Sequence, residues 1–282
     1  MGSEANPNQI LYLRRILQLC ADLSSKPLDG IRVLDLGSLE GGFAIEFAMH
    51  GAEVVAIEGR SKNCERIRFV KNLLRLSNLQ ILEADVRKLD SSDLGSFDIV
   101  LCLGLLYHVD KSSILEFCRL LYDLTRHLCV IDTHFAFYGN EMLGEYQGDL
   151  FWENSPDASD LQVNENNWSC LDRLPSYFFT ETSLRNLISD LGFSSLYVCE
   201  NPYYRIMLDR RTFIAIKGQP IELKSCHTPP LMPHPVKPYQ AVVEPINSAL
   251  DDSCASKRQP LLRAAKSALS RLVSSRRRLR IE

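Results

Sequence analysis

Short apolar runs alternate with amphipathic helical patterns over most of the chain. Each run is apolar at nearly every position, as in DIVLCLGLL, which is typical of strands that are buried on both faces. Alternation with helices predicts an α/β fold with a doubly wound, mostly parallel, seven-stranded sheet. The predicted strands cover residues 31–38, 53–59, 79–86, 97–105, 127–135, 194–200 and 212–217, and the predicted helices among them cover 42–50, 61–76, 111–125 and 180–192.

Two segments accompany the sheet domain, which we place at residues 31–218. Residues 8–24 carry apolar side chains at helical spacing, so residues 1–30 are predicted to contribute an N-terminal helix that packs on the domain. Residues 138–180 lack clear periodicity and combine two tryptophans with many carboxylates. A long irregular segment inside a domain is often functional, so we expect either an inserted lid over the cleft or a solvated loop.

The C-terminal extension has a different composition. Residues 219–256 are rich in proline and predict an extended linker. Residues 257–282 contain nine Lys or Arg and one Glu at amphipathic spacing, whereas the whole chain has a formal charge of −3. An acidic body therefore carries a basic tail, which would act as a reversible anchor on anionic lipid or as a plain solvated helix.

Cysteine usage and hydropathy indicate the compartment. The nine cysteines lie scattered in apolar runs, without a C-x-x-C pair and without histidines at metal-ligand spacing. No signal-peptide pattern opens the sequence, and no apolar run approaches the roughly 20 residues that span a bilayer. We therefore expect a cytoplasmic protein with reduced thiols and no bound metal.

A glycine-containing loop, DLGSLEGG at residues 35–42, follows the first predicted strand. It differs from a dinucleotide fingerprint because Leu39 holds the place of the second glycine, and from a phosphate-binding P-loop because Phe43 follows in place of lysine. Asp35 and Glu40 would repel a pyrophosphate but favour a cationic ligand. The loop thus indicates a nucleoside cofactor that is positively charged where NAD is negatively charged.

Carboxylates also end the next two strands. Glu58 closes the second strand about 20 residues after the loop, where an acidic side chain accepts hydrogen bonds from a ribose diol. Asp85 closes the third strand, where its carboxylate and the following backbone N–H would bind an adenine edge. Alone, Glu58 would be a surface carboxylate and Asp85 a helix cap.

Together these segments resemble the class I S-adenosylmethionine-dependent methyltransferases. The resemblance covers residues 31–135 and the last helix and strand pair, and it rests on VLDLGSLEGG, VVAIEG, LEADVR and FDIVLCLGLLYHV. Leu39 departs from the glycine that this family often has. The resemblance implies S-adenosylmethionine as cofactor, held by Asp35, Gly37, Ser38, Glu40, Gly41, Glu58, Asp85, Val86, Leu103 and Gly104.

Candidate catalytic residues follow the fourth and fifth strands. Tyr107 and His108 would stand at the mouth of the cleft, where His108 serves as a base for the acceptor or else holds the loop through the backbone. The end of the fifth strand would turn Asp132, His134 and Tyr138 toward the acceptor. Asp132 would equally suit a buried structural role.

Three functional hypotheses remain open at this stage. The first is methyl transfer to a small-molecule or glycan acceptor, on oxygen, because aromatic residues and carboxylates in the insertion do not suit a polyphosphate. The second is a tRNA-modifying carboxymethyltransferase, which the GLLYHV motif also resembles but the acidic body disfavours. The third is a non-enzymatic adaptor that keeps the fold.

Overall fold

Strands and helices alternate along the chain, of which the computed structural model describes residues 7–166, 168–199 and 209–220. The strands are β1 (Arg32–Leu36), β2 (Glu53–Glu58), β3 (Leu79–Glu83), β4 (Phe97–Leu103), β5 (Thr125–His134), β6 (Glu141–Leu143), β7 (Tyr146–Phe151), β8 (Ser176–Phe179), β9 (Ser195–Cys199) and β10 (Arg210–Ile216). The helices are α1 (Pro7–Leu23), α2 (Gly42–Met49), α3 (Ser61–Leu74), α4 (Ser91–Leu94), α5 (Ile114–Leu124), α6 (Asp160–Glu165) and α7 (Glu181–Asp190).

Seven strands form one sheet in the order β3-β2-β1-β4-β5-β10-β9. The strands β1 to β5 pair in parallel, while β10 runs antiparallel to both β5 and β9. In the centre, Leu34 lies beside Val55 of β2 and Val100 of β4. The predicted seven-stranded, mostly parallel sheet is confirmed. The strand order reverses between β1 and β4, and ligands bind beyond the carboxyl ends of strands at such a point.

Two apolar layers cover the two faces of this sheet. On one face α1, α2 and α3 bury side chains such as Ile16, Phe47 and Ile67. On the other face α5 and α7 bury side chains such as Phe117 and Leu184. Because both faces are covered by helices, the strands are apolar at almost every position, as their sequences indicated.

Residues 138–180 contain a small three-stranded sheet, which their sequence did not predict. The strands β6, β7 and β8 pair antiparallel in that order. The fully buried Tyr177 donates its hydroxyl to the carbonyls of Glu141 and Tyr146, at 3.0 and 3.1 Å. Its ring packs directly on Gly148, where a side chain would clash. The aromatic ring is therefore the core of this insertion.

Several expectations concern parts of the chain outside the described residues. The basic tail of residues 257–282 lies there, as does the linker of residues 219–256 beyond its first two positions. Within the described part, no helix is both long and apolar enough to cross a membrane. The six buried cysteines of the described part, Cys20, Cys64, Cys102, Cys118, Cys129 and Cys170, are reduced thiols, as predicted.

Candidate functional site

A cavity of about 270 Å³ opens beyond the carboxyl ends of β1, β2, β3 and β4. Its position agrees with the binding crevice expected where the strand order reverses. Eight of the thirteen predicted site residues line it: Gly37, Glu58, Asp85, Val86, Leu103, Gly104, Tyr107 and His108. The structure thus brings residues from four separate strand ends to one concave site.

The glycine loop turns sharply at three left-handed residues, Gly37, Leu39 and Gly41. Gly37 has φ +65°, and a Cβ there would approach Leu105 to 2.9 Å, so glycine is required on both counts. Leu39 also adopts a left-handed conformation, at φ 52°, which costs a non-glycine residue about 1–2 kcal/mol. Its backbone N–H donates to Glu58 Oε2 at 2.8 Å, and this bond holds the strained residue in place.

Glu58 connects the loop to the second strand. The carboxylate is 4% exposed and accepts the N–H of Leu39 on one oxygen and the N–H of Arg60, at 2.9 Å, on the other. Asn63 Nδ2 makes a longer contact of 3.3 Å. Each carboxylate oxygen has two lone pairs, so Oε2, which accepts only the N–H of Leu39, keeps acceptor capacity toward a ligand.

Asp35 lies beneath the loop rather than in the cavity. Its side chain is 3% exposed and accepts the N–H of Ala44, at the start of α2, at 3.2 Å. Burial raises the pKa of this carboxyl to about 7, because the low-dielectric interior disfavours its charged form. Ser38, Glu40 and Gly41 also lie outside the cavity lining.

The raised pKa of Asp35 predicts a pH-dependent stability. Between about pH 4 and 7 the unfolded chain loses this proton while the folded chain keeps it, so stability falls as pH rises through that window. Asp35→Asn removes the cost of a buried negative charge. Without ligand, the free energy of unfolding of the variant should exceed that of the wild type by about 2–4 kcal/mol at pH 8, and the two values should match near pH 4. Thermal unfolding of both proteins at the two pH values measures this. An equal difference at both values would contradict it.

The loop residues outside the cavity have structural contacts. Ser38 Oγ donates to the carbonyls of Asp35 and Ile57, at 2.8 and 3.2 Å, which ties the loop to β2. Glu40 is exposed and forms an ion pair with Arg66. The predicted direct cofactor contacts of Ser38 and Glu40 therefore have no counterpart in the cavity lining.

Asp85 is bound by a neighbouring arginine. Arg87 donates Nε and Nη2 to the two oxygens of Asp85, at 3.0 and 2.7 Å. Burial alone would raise the pKa of Asp85, but these bonds outweigh it and hold the pKa below its usual value. Arg87 also pairs with Asp110 and with Asp172 of the insertion. One guanidinium thus connects the third strand, the turn after the fourth and the insertion.

A second arginine fixes the insertion over the cavity. Arg60 Nη2 donates to the carbonyls of Asn166 and Ser169, both at 2.8 Å. Leu171 packs on Gly59, where any side chain would clash with it. Residues 168–171 consequently form part of the cavity wall beside Glu58.

Tyr107 and His108 form the opposite end of the cavity. Their rings lie 4.2 Å apart between centroids, and the Tyr107 ring also packs edge-on against Phe178, at 5.7 Å. Burial raises the pKa of Tyr107, so its hydroxyl stays protonated at neutral pH. His108 Nδ1 is hydrogen-bonded to Glu153 of the insertion.

Asp132 stands behind the cavity wall. It is 1% exposed, and its two oxygens accept Arg210 Nε at 2.5 Å and Thr212 Oγ1 at 2.7 Å. Arg210 itself lines the cavity, so Asp132 contacts a residue of the cavity wall but is not part of the lining. Its neighbour His134 pairs with Asp209 at 2.9 Å, and Tyr138 is largely exposed.

Sequence reasoning counted Glu153 only among the carboxylates of the insertion, although it is bonded to His108. It missed three arginines of the cavity lining, Arg60, Arg87 and Arg210, which no motif marks. The available signal was their position: Arg60 and Arg87 each lie two residues after a predicted cofactor carboxylate.

A family model described as a methyltransferase domain matches residues 9–198. Among curated proteins, the ubiquinone biosynthesis O-methyltransferase of Albidiferax ferrireducens is 35% identical over 112 residues, covering 39% of this chain and 42% of the relative. The protein of the same name from Acinetobacter baylyi is 30% identical over 95 residues, covering 33% and 40%. The chain therefore spans about two fifths of the length of these relatives.

Two solved structures share the fold. The N-terminal domain of EvdMO1, crystallised with S-adenosylhomocysteine and D-fucose, is 24% identical with a TM-score of 0.60, covering 77% of this chain and 84% of that one. Magnesium protoporphyrin IX methyltransferase from Synechocystis is 17% identical with a TM-score of 0.51, covering 77% and 90%. Both similarities agree with the strand order described above.

Proposed function

Because the chain belongs to the methyltransferase domain family, we propose that it transfers the methyl group of S-adenosylmethionine to a hydroxyl of a small-molecule or glycan acceptor. One observation carries the proposal. A single cavity has the acceptor oxygens of Glu58 on one side and the imidazole of His108 on the other. The carboxylate of Glu58 suits a ribose, and the imidazole of His108 suits an acceptor that must lose a proton.

The cofactor side fits a nucleoside with a positively charged end. Glu58 retains a free lone pair on Oε2 for a ribose hydroxyl, and the cavity lining includes Asp85 and Val86, the residues proposed for the adenine. Gly37 and Gly104 keep the wall free of side chains; at Gly104 a Cβ would come within 3.3 Å of the Arg210 guanidinium. The cofactor would supply an activated methyl group, so the protein has to align the acceptor and remove its proton.

The acceptor side combines a base with aromatic rings. His108 lines the cavity, and its imidazole is a group suited to taking a proton from a hydroxyl. From Tyr107 the rings continue through Phe178 to the partly exposed Phe151, with centroids 5.7 and 5.3 Å apart. Tyr107 belongs to the cavity lining, and Phe178 and Phe151 extend this row of rings beyond it. Such a row favours the flat face of an aromatic or sugar ring.

The names of the relatives support a hydroxyl acceptor on a small molecule. The curated relatives are called O-methyltransferases, and the EvdMO1 domain was crystallised in the presence of a sugar, D-fucose. Lipid contact and a tRNA acceptor both depend on the basic residues 257–282, which lie outside the described residues, so they add nothing to this proposal.

Calorimetric titration tests the cofactor first. We expect S-adenosylmethionine and S-adenosylhomocysteine to bind with micromolar affinity and NAD to show no heat of binding. Release of S-adenosylhomocysteine should then be measured with a panel of phenols and catechols and a panel of deoxysugar glycosides. Turnover with either panel supports the proposal. Binding of NAD, or no binding of the two adenosyl compounds, would overturn it.

A further inference from the structure

Glu153, a buried carboxylate of the insertion, is bonded to Nδ1 of His108, a residue that lines the cavity. We infer that Glu153 is a positioning residue that keeps the proton of His108 on Nδ1, so that Nε2 is available to accept the proton of the acceptor. The inference rests on the proposed function, because it assigns His108 the role of base.

The hydrogen bonds around Glu153 define the direction of its bond to His108. Oε2 accepts the backbone N–H of Cys170 at 3.1 Å and is also the partner of His108 Nδ1. Oε1 is bonded to Ser176 Oγ. Because both oxygens of Glu153 accept, from the Cys170 N–H and from the Ser176 hydroxyl, we assign the acceptor role to the carboxylate and the donor role to Nδ1. The neutral imidazole then has an unprotonated Nε2.

The carboxylate is held firmly by the insertion. The Glu153 side chain is 7% exposed, so it is largely shielded from competing water. The adjacent Asn154 donates Nδ2 to the carbonyls of Cys170 and Asp172, at 3.1 and 2.7 Å, and fixes the segment that binds Oε2. Among the described residues, Nε2 of His108 has no hydrogen-bond partner.

The consequence is that the insertion completes the catalytic arrangement from outside the parallel sheet. His108 follows β4, whereas Glu153 follows β7 of the small sheet, 45 residues later. When Nε2 takes the acceptor proton, the oxygen–hydrogen bond breaks and a nitrogen–hydrogen bond forms. The resulting imidazolium lies against the Glu153 side chain, which favours that charge if ionised.

The tautomer can be observed directly in the full-length protein. We would label the six histidines with ¹⁵N, assign His108 by comparison with His108→Asn, and record the nitrogen shifts above the titration range of the ring. We expect a protonated Nδ1 and an unprotonated Nε2. A protonated Nε2, or an averaged mixture of the two tautomers, would overturn the inference without reference to activity.

Two variants separate positioning from mere support of the fold. In Glu153→Gln the amide oxygen can still accept from His108 and Cys170 while the amide nitrogen donates to Ser176, so we expect the tautomer to persist and kcat to fall only severalfold. Glu153→Leu removes the acceptor, and kcat should fall by about 10- to 100-fold, the loss typical when a carboxylate that orients a histidine is removed. The KM for the acceptor and the affinity for S-adenosylhomocysteine should stay unchanged.

The controls are Glu145→Gln and Glu145→Leu, on an exposed carboxylate of the same insertion. Both should retain wild-type kcat. Full activity of Glu153→Leu, or a loss of cofactor affinity equal to its loss of kcat, would contradict a positioning role. If Glu153→Leu does not fold, the wild-type tautomer and Glu153→Gln still decide the question. If the wild type transfers no methyl group, the proposed function fails while the tautomer remains measurable.

Discussion

We expect Glu58→Gln to bind S-adenosylhomocysteine about 100-fold more weakly than the wild type. Both oxygens of Glu58 accept a backbone N–H, one from Leu39 and one from Arg60. The substituted amide must therefore turn its NH₂ group toward one of these donors. Loss of a hydrogen bond to a charged acceptor costs about 1.5–3 kcal/mol. If Leu39 loses its bond to Glu58, holding its left-handed conformation for binding costs about 1–2 kcal/mol more.

Calorimetric titration of both proteins measures this loss, since about 1.4 kcal/mol corresponds to each tenfold change in affinity. The matched control is Glu53→Gln at the start of the same strand, where an exposed carboxylate pairs with Arg32 and lies far from the cavity lining. This control should keep wild-type affinity. Equal affinities for Glu58→Gln and Glu53→Gln would remove Glu58 from the cofactor site.

The parallel sheet could be predicted because its signal is local and uninterrupted. A strand covered by helices on both faces is apolar at each position, and residues 97–103 show this directly in FDIVLCL. The glycine loop was also predictable, since a sharp turn requires left-handed residues at fixed positions. Several strand boundaries differed, among them that of β3, which ends at Glu83 because Asp85 caps a short 3-10 turn that begins at Val86.

The insertion could not be predicted because its structure depends on long-range contacts. Its strands are three to six residues long, and Leu150, Phe151 and Trp152 are consecutive exposed apolar residues that break the alternation expected of a half-buried strand. The buried ring of Tyr177 organises it through carbonyls more than 30 residues away.

The same limitation applied to the role of Asp132. From the sequence, a carboxylate near the end of β5 suits either a ligand contact or a structural ion pair. The choice depends on Arg210, which is 78 residues away in the chain and reaches Asp132 only because β10 pairs with β5. Antiparallel pairing of these two strands gives no local sequence signal, so the partner of Asp132 emerges only from the fold.

Loss of the proposed base should have the largest effect on turnover. His108→Asn should lower kcat by about 100- to 10,000-fold, the range attributed to general acid–base catalysis by one side chain. The shorter amide still offers an N–H toward Glu153, so the buried hydrogen bonds around Cys170 and Ser176 can persist. Affinity for S-adenosylhomocysteine should therefore remain close to that of the wild type.

Single-turnover rates and calorimetric titration of the same preparation separate these two effects. His50→Asn is the matched control, because His50 lies half-exposed at the end of α2 and its nearest carboxylate is Glu46, at 3.7 Å. It should turn over at the wild-type rate. If His108→Asn keeps its rate but unfolds at lower temperature, His108 holds the loop after β4, and the acceptor needs no protein base. Such a result would favour acceptors that are already ionised at neutral pH over alcohols, since only an alcohol requires a residue to take its proton.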